Sequence, residues 1–156
     1  MKQEILSREE KLEIIKKLEI YGISNIPFLL FKSGNEKIRA FSGNLNKDEI
    51  NKLAENIFIE TIGLYFAKID GQDVRLSVDA CHLLKQQIKN NVIELTQEQA
   101  EEYLKGRDIQ IEEEQEKFSE KKIYYILKHK EDILGMSKIV NKQIKNYLPK
   151  ERRRKN

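Results

Sequence analysis

Near the N-terminus the apolar residues recur at helical spacing. Ser7 followed by Glu10 has the geometry of a reciprocal helix cap, and Leu12, Ile15 and Leu18 then fall on one stripe that ends at Gly22. This predicts a helix from about Arg8 to Ile20. Pro27–Phe31 and Lys37–Ser42 flank Ser33-Gly34-Asn35 and predict a hairpin with Phe28, Leu30, Ile38 and Phe41 on its apolar face. Asn46 and Glu49 repeat the cap spacing and open a second helix, about Lys47–Asn56, with Ile50, Leu53 and Ala54 on one side. These elements describe a small unit over residues 1–60.

From Phe58 onward the spacing shortens to two, and a domain boundary is expected there. Thr61–Ile69 and Gln72–Leu76 read as strands joined at Asp70-Gly71, a dipeptide suited to the positive φ of a tight turn. Ser77 caps a short helix through Leu84, with Val78, Cys81 and Leu84 inward. Val92–Leu95 is a strand, Thr96 and Gln99 cap a helix ending at Leu104, and Gly106 follows it. Ile111–Glu120, which holds Glu112, Glu113, Glu114 and Glu116, has almost no apolar content and is expected to be an exposed loop between strands. Tyr124–Leu127, Ile133–Val140 and Gln143–Leu148 close the chain as hairpin strands. The fold class predicted is α+β: a small N-terminal α/β unit, then a mixed β-barrel with short helices over 61–150, then a basic tail over 151–156.

Charge sharpens the picture. From Lys138 to Lys155 there are eight basic residues (138, 142, 145, 150, 152, 153, 154, 155) against the single acid Glu151, a local net charge of +7 in a chain of +3 overall. So lopsided a field favours a polyanionic partner. Lys138 and Lys150, with Arg152 and Arg153, can supply charge and guanidinium forks to phosphates. Lys145, Asn146 and Tyr147 offer in succession a cation, an amide and a ring, suited to phosphate, base edge and base face. Strand alternation lets at most two of those three share a surface. Lys105 and Arg107, around Gly106, extend the same candidate face.

Composition limits the alternatives. With 39% hydrophobic and 35% charged residues, the 156-residue chain can bury a core beneath a highly charged surface. One cysteine permits no internal disulfide and no cysteine-based zinc cluster, and Cys81 lies in an apolar helical frame that predicts burial. His82 and His129 are too few and too separated for a metal site, so no metal or other cofactor is expected. There is no G-x-G for a cofactor-binding Rossmann unit, and Asp70 and Asp73 read as turn residues. No apolar run approaches the roughly 20 residues of a membrane span, and MKQEILSREEK has no signal-peptide core, so a cytoplasmic location is expected.

At Ala100-Glu-Glu-Tyr-Leu-Lys-Gly-Arg-Asp-Ile109 the pattern becomes more specific. With Leu134-Gly135-x-x-Lys138 and Lys145-Asn-Tyr-Leu-Pro-Lys150 before a basic finish, it resembles the PUA-like RNA-binding domain of the Sun/Nop class of rRNA cytosine methyltransferases. Gly63-Leu-Tyr-Phe66, Arg75-x-Ser77 and Val92-Ile-Glu-Leu95 extend the similarity to about Ile62–Arg153, and the two-part layout is similar to that of Nip-type ribosome-biogenesis factors. Two positions depart from the family pattern. Ser137 stands where a second glycine is usual, and Glu151 where a glycine follows the Pro-Lys.

The resemblance implies a stand-alone, non-catalytic protein that binds structured RNA, rRNA or tRNA, in RNA modification or ribosome biogenesis. It places the RNA in a cleft between the first short helix of the domain and the last strands, which adds Arg75 and Lys85 to the candidates. The alternative expectation is an adaptor that docks onto a separate RNA methyltransferase or a ribosomal protein.

Overall fold

The computed structural model describes residues 3–155. Helix α1 (Arg8–Leu18) starts with the predicted reciprocal cap, in which Ser7 Oγ accepts the Glu10 amide and Glu10 accepts the Ser7 amide at 2.8 Å. It passes through a 3-10 turn, Glu19–Tyr21, to Gly22 at φ +93°. Its buried stripe is Ile14, Leu18 and Tyr21, and Leu12 is 48% exposed. The inward face is therefore rotated from the predicted Leu12–Ile15–Leu18 line. Lys11 lies on that rotated side and donates its amine to the Phe28 carbonyl at 2.7 Å.

Five strands form one antiparallel sheet in chain order: β1 (Gln3–Ile5), β2 (Leu29–Ser33), β3 (Lys37–Phe41), β4 (Leu64–Asp70) and β5 (Asp73–Leu76). The division expected at 60 and 61 falls between helix α2 (Lys47–Asn56) and β4, so this sheet draws strands from both sides of it. Close approach at the β3–β4 step demands glycine at 63. Its φ is +75°, and a Cβ there would lie 2.3 Å from the Ala40 carbonyl oxygen. Arg39 braces the step by donating to the carbonyls of Ile62 and Gly63.

Beyond β5 come helix α3 (Val78–Leu83), strand β6 (Val92–Glu94), helix α4 (Gln97–Leu104) and strand β7 (Ile109–Gln110). Strands β8 (Tyr125–His129), β9 (Asp132–Ser137), β10 (Ile139–Val140) and β11 (Gln143–Ile144) follow. They make two further sheets, β6-β8-β9 with β6 parallel to β8, and β10-β11-β7. The three sheets are not closed into the expected barrel. The ladder breaks where strands β7, β10 and β11 shrink to two residues each.

Two apolar cores result, and β8 is the wall between them. Tyr124 and Ile126 face the first core, with Leu18, Phe66 and Met136, whereas Tyr125 and Leu127 face the second, with Ile93, Tyr103 and Leu148. A strand buried on both faces must be apolar at every position, which is why Tyr124–Leu127 reads as a continuous run. Cys81 is fully buried in the first core, and desolvation pushes its thiol up to about 12.

Two stretches differ from expectation for identifiable reasons. The glutamate-rich segment is a 3-10 helix, Glu113–Glu120, rather than a free loop. Buried Gln115 and Gln99 exchange side-chain hydrogen bonds at 2.8 and 3.0 Å, and Gln115 also donates to the Glu94 carbonyl. The predicted strand Gln143–Leu148 ends at Ile144 because the Asn146 amide takes over the backbone bonding. It donates to the carbonyls of Tyr103 (2.7 Å) and Arg107 (2.9 Å) and accepts the Leu148 amide (3.0 Å).

The C-terminal segment folds back through a 3-10 turn, Lys150–Arg152, and the Arg154 amide donates to the Leu104 carbonyl at 2.8 Å. Asn156, the end of the expected tail, lies outside the described residues, as do Met1 and Lys2. Among the described residues no helix is long and apolar enough to cross a membrane.

Candidate nucleic-acid interface

A cleft of about 250 Å³ opens between the start of α3 and the C-terminal segment, with Gly135 of β9 on its wall. Ser77 shapes one side by capping α3 through the Ala80 amide at 3.1 Å, while its hydroxyl donates to the Tyr65 carbonyl at 2.8 Å. Gly135 adopts φ +127°, and a Cβ there would sit 3.3 Å from Val78, so any side chain would crowd the wall against α3. The other side is Tyr147 to Arg152.

Across the mouth runs a ladder of cations and rings. The Arg75 guanidinium lies 4.5 Å from the centre of the Tyr147 ring, Tyr147 meets Tyr124 edge-on at 6.1 Å, and Lys138 Nζ lies 4.3 Å from the centre of the Tyr124 ring. Lys138 in turn bridges Asp73 (3.0 Å) and Asp70 (3.5 Å), and the Tyr124 hydroxyl donates to Asp70. Desolvation acts to lower the Lys138 amine, but the hydrogen bond and charge of Asp73, with the charge of Asp70, raise it overall. The Tyr124 hydrogen bond, followed by the Lys138 charge, holds the Asp70 carboxyl below its ordinary range. Lys138 is thereby locked as a cation against two carboxylates.

The sequence candidates divide into groups. Arg75, Tyr147 and Arg152 line the cleft, with Lys138 one ring away. Lys105 and Arg107 both pair with Glu102, and those two hydrogen bonds hold the Glu102 carboxyl low. Lys145 pairs with Asp108 at 2.9 Å, and Asn146 is committed to backbone bonding. The Arg153 side chain packs over Gly106, where a Cβ would come within 2.5 Å of it, and its Nε donates to the Leu148 carbonyl. Lys150 is exposed, between the cleft-lining Pro149 and Glu151, and forms no ion pair among the described residues. Lys85 does not reach this cleft; it lines a separate groove at the other end of α3.

The basic run is therefore not a bare patch of positive charge. Lys138, Lys142, Lys145 and Arg152 each meet a carboxylate, from Asp70 and Asp73, Glu116, Asp108 and Asp79 respectively. These partners lie far off in the sequence, so a local charge count could not register them. Arg75, by contrast, forms no ion pair among the described residues and lies on an aromatic face within the cleft. Sequence reasoning missed Asp79 as the partner of Arg152. The available signal was an acid in the first turn of a capped helix, where the N-terminal dipole favours negative charge.

Ser137, the departure from the family glycine, has a physical role. It is buried, and its hydroxyl donates to the Lys145 carbonyl, tying the end of β9 to the segment after β11.

Residues 90–154 match the family model described as the methyltransferase RsmF PUA domain. No curated protein matches the chain. The match covers β6, both C-terminal sheets and one side of the cleft, while Arg75 and α3 precede it. Residues 90–154 are thus a PUA-like domain of the type found in Sun-class RNA methyltransferases.

Proposed function

We propose that this chain is a non-catalytic RNA-binding protein that seats structured RNA, rRNA or tRNA, in the cleft between α3 and the C-terminal segment. It would serve RNA modification or ribosome biogenesis in the cytoplasm, beside a separate methyltransferase or ribosomal protein. The observation that carries this reading is the Arg75–Tyr147 stack, an arginine with no ion pair among the described residues on a half-exposed ring, in a cleft partly built by a PUA-like domain. A base can stack on Tyr147 if Arg75 swings to a phosphate. Arg75 and Lys150 then supply charge at the mouth and rim, while Gly135 leaves room for close approach. The reading assigns no bond-making step to this chain.

A filter-binding titration of the purified protein with a hairpin RNA tests it. Binding should be present at low salt and fall steeply as salt rises. Replacing both Arg75 and Tyr147 by alanine should weaken it at least tenfold, in line with about 1–3 kcal/mol per stacked base. No binding by the wild-type chain at low salt would reject the reading.

One observation favours the adaptor instead. Leu45, Leu53, Ile57 and Phe58, on and around α2, are 40, 40, 53 and 78% exposed. Retention of RNA by the purified protein at low salt, with release at high salt, separates the two readings.

A further inference from the structure

Away from the C-terminal run, three lysines that no carboxylate claims among the described residues stand around one groove. At the far end of α3, a 3-10 turn (Lys85–Gln87) and the face of β6 and β8 enclose a groove of about 300 Å³. Lys85, Lys89 and Lys128 surround it, over a floor that includes Ile88, Val92 and Ile133. None of the three lysines forms an ion pair among the described residues.

One acid, Glu94, also lines the groove, and it stands directly across the parallel pair from Lys128. The two form no ion pair: one Glu94 carboxylate oxygen accepts from the Lys130 amide at 2.7 Å, in a turn where Lys130 has φ +53°, so the groove keeps three cations against one acid. A charge-assisted bond to a backbone amide is among the stronger ones available to a carboxylate. Lys85 donates to the Glu131 carbonyl, which fixes its position without cancelling its charge. The main chain at Lys89 is fixed to the N-terminal part of the molecule through its amide, which donates to the Tyr21 carbonyl at 2.9 Å.

Helix α3 links this groove to the cleft. Ser77 and Asp79 line the cleft, and Lys85 begins the turn that borders the groove. Eight residues at about 1.5 Å each put the two ends roughly 12 Å apart. An RNA strand spans that distance in a few nucleotides.

We infer that the groove of Lys85, Lys89 and Lys128 is a second contact surface for the phosphodiester backbone of RNA, so that one strand passes along α3 from the Arg75–Tyr147 cleft to these lysines. The three ammonium groups meet phosphates, and the apolar floor receives ribose faces. This assignment rests on the RNA-binding reading and adds Lys89 and Lys128 to it.

The test is a salt titration of hairpin-RNA binding with the full chain carrying Lys89→Gln and Lys128→Gln. Lys85 is kept so that its bond to Glu131 survives, and a circular dichroism melt checks that the fold is intact. Affinity should fall about tenfold at low salt, and the slope of log affinity against log salt should flatten by about 1.4–1.8, two phosphate contacts' worth. Wild-type affinity and slope in this variant, with binding still lost on replacing Arg75 and Tyr147, would overturn the groove and leave the RNA reading standing. No binding by the wild-type chain would remove the RNA reading itself. Polyglutamate displacing the RNA as well as unlabelled RNA does would overturn the phosphodiester assignment in favour of an acidic protein.

Discussion

Asp108 shows how one carboxylate can decide what a nearby cation is for. Its carboxyl accepts from Lys145 at 2.9 Å and from the Asn146 amide at 2.8 Å, and these bonds, Lys145 first, hold it below the ordinary aspartate range. A carboxyl depressed by folding stabilises the native state above its unfolded value of about 3.9, and that contribution is lost as pH falls through the lower folded value. Asp108→Asn should therefore lower the melting temperature at pH 6, with the difference from wild type narrowing toward pH 2. A difference that stays constant with pH would show that the Asp108 charge contributes nothing. Residue types at this scale were legible: Arg75, Tyr147 and Lys138 stand out in the chain as a cation, a ring and a cation. Their partners were not, because Asp70 is 68 residues from Lys138 and Asp79 is 73 from Arg152.

Among the elements, helix starts were the easiest to read, since a cap is a local contract between residues three apart. Ser7, Asn46 and Thr96 each form the reciprocal cap their spacing predicts. Strand ends were harder, because a side chain can replace the backbone ladder without any periodic signature. Asn146 does this after β11. Asn146→Ala removes acceptor and donor together and leaves the carbonyls of Tyr103 and Arg107 without that partner, so it should destabilise the fold by about 1–3 kcal/mol in a denaturant titration. A loss of RNA affinity with unchanged stability would instead make Asn146 a contact residue. The glutamate-rich segment escaped for a related reason, since its order depends on Gln115 finding Gln99, a pairing that alternation cannot announce.

For the molecule as a whole, the α+β class was readable from its mixture of spacings, but the sharing of parts was not. The sheet joins β3 to β4 across the expected division, and the Tyr21 hydroxyl donates to the Tyr124 carbonyl at 2.7 Å, 103 residues away. A chain beginning at residue 61 would lose Ile14, Leu18, Ile23 and Leu30 from the first core and leave β4 unpaired on one edge. It should show no cooperative thermal transition, whereas the full chain should show one. A sharp transition in the shorter chain would establish residues 61–156 as an independent domain.

Cys81, the only sulfhydryl in the sequence, lies sealed inside the first core with its thiolate strongly disfavoured. To thiol reagents in solution the folded protein presents no accessible sulfhydryl. A maleimide dye could therefore be attached at one chosen surface point, such as Lys150→Cys beside the cleft, with the native cysteine left in place. Fluorescence would then follow whatever enters.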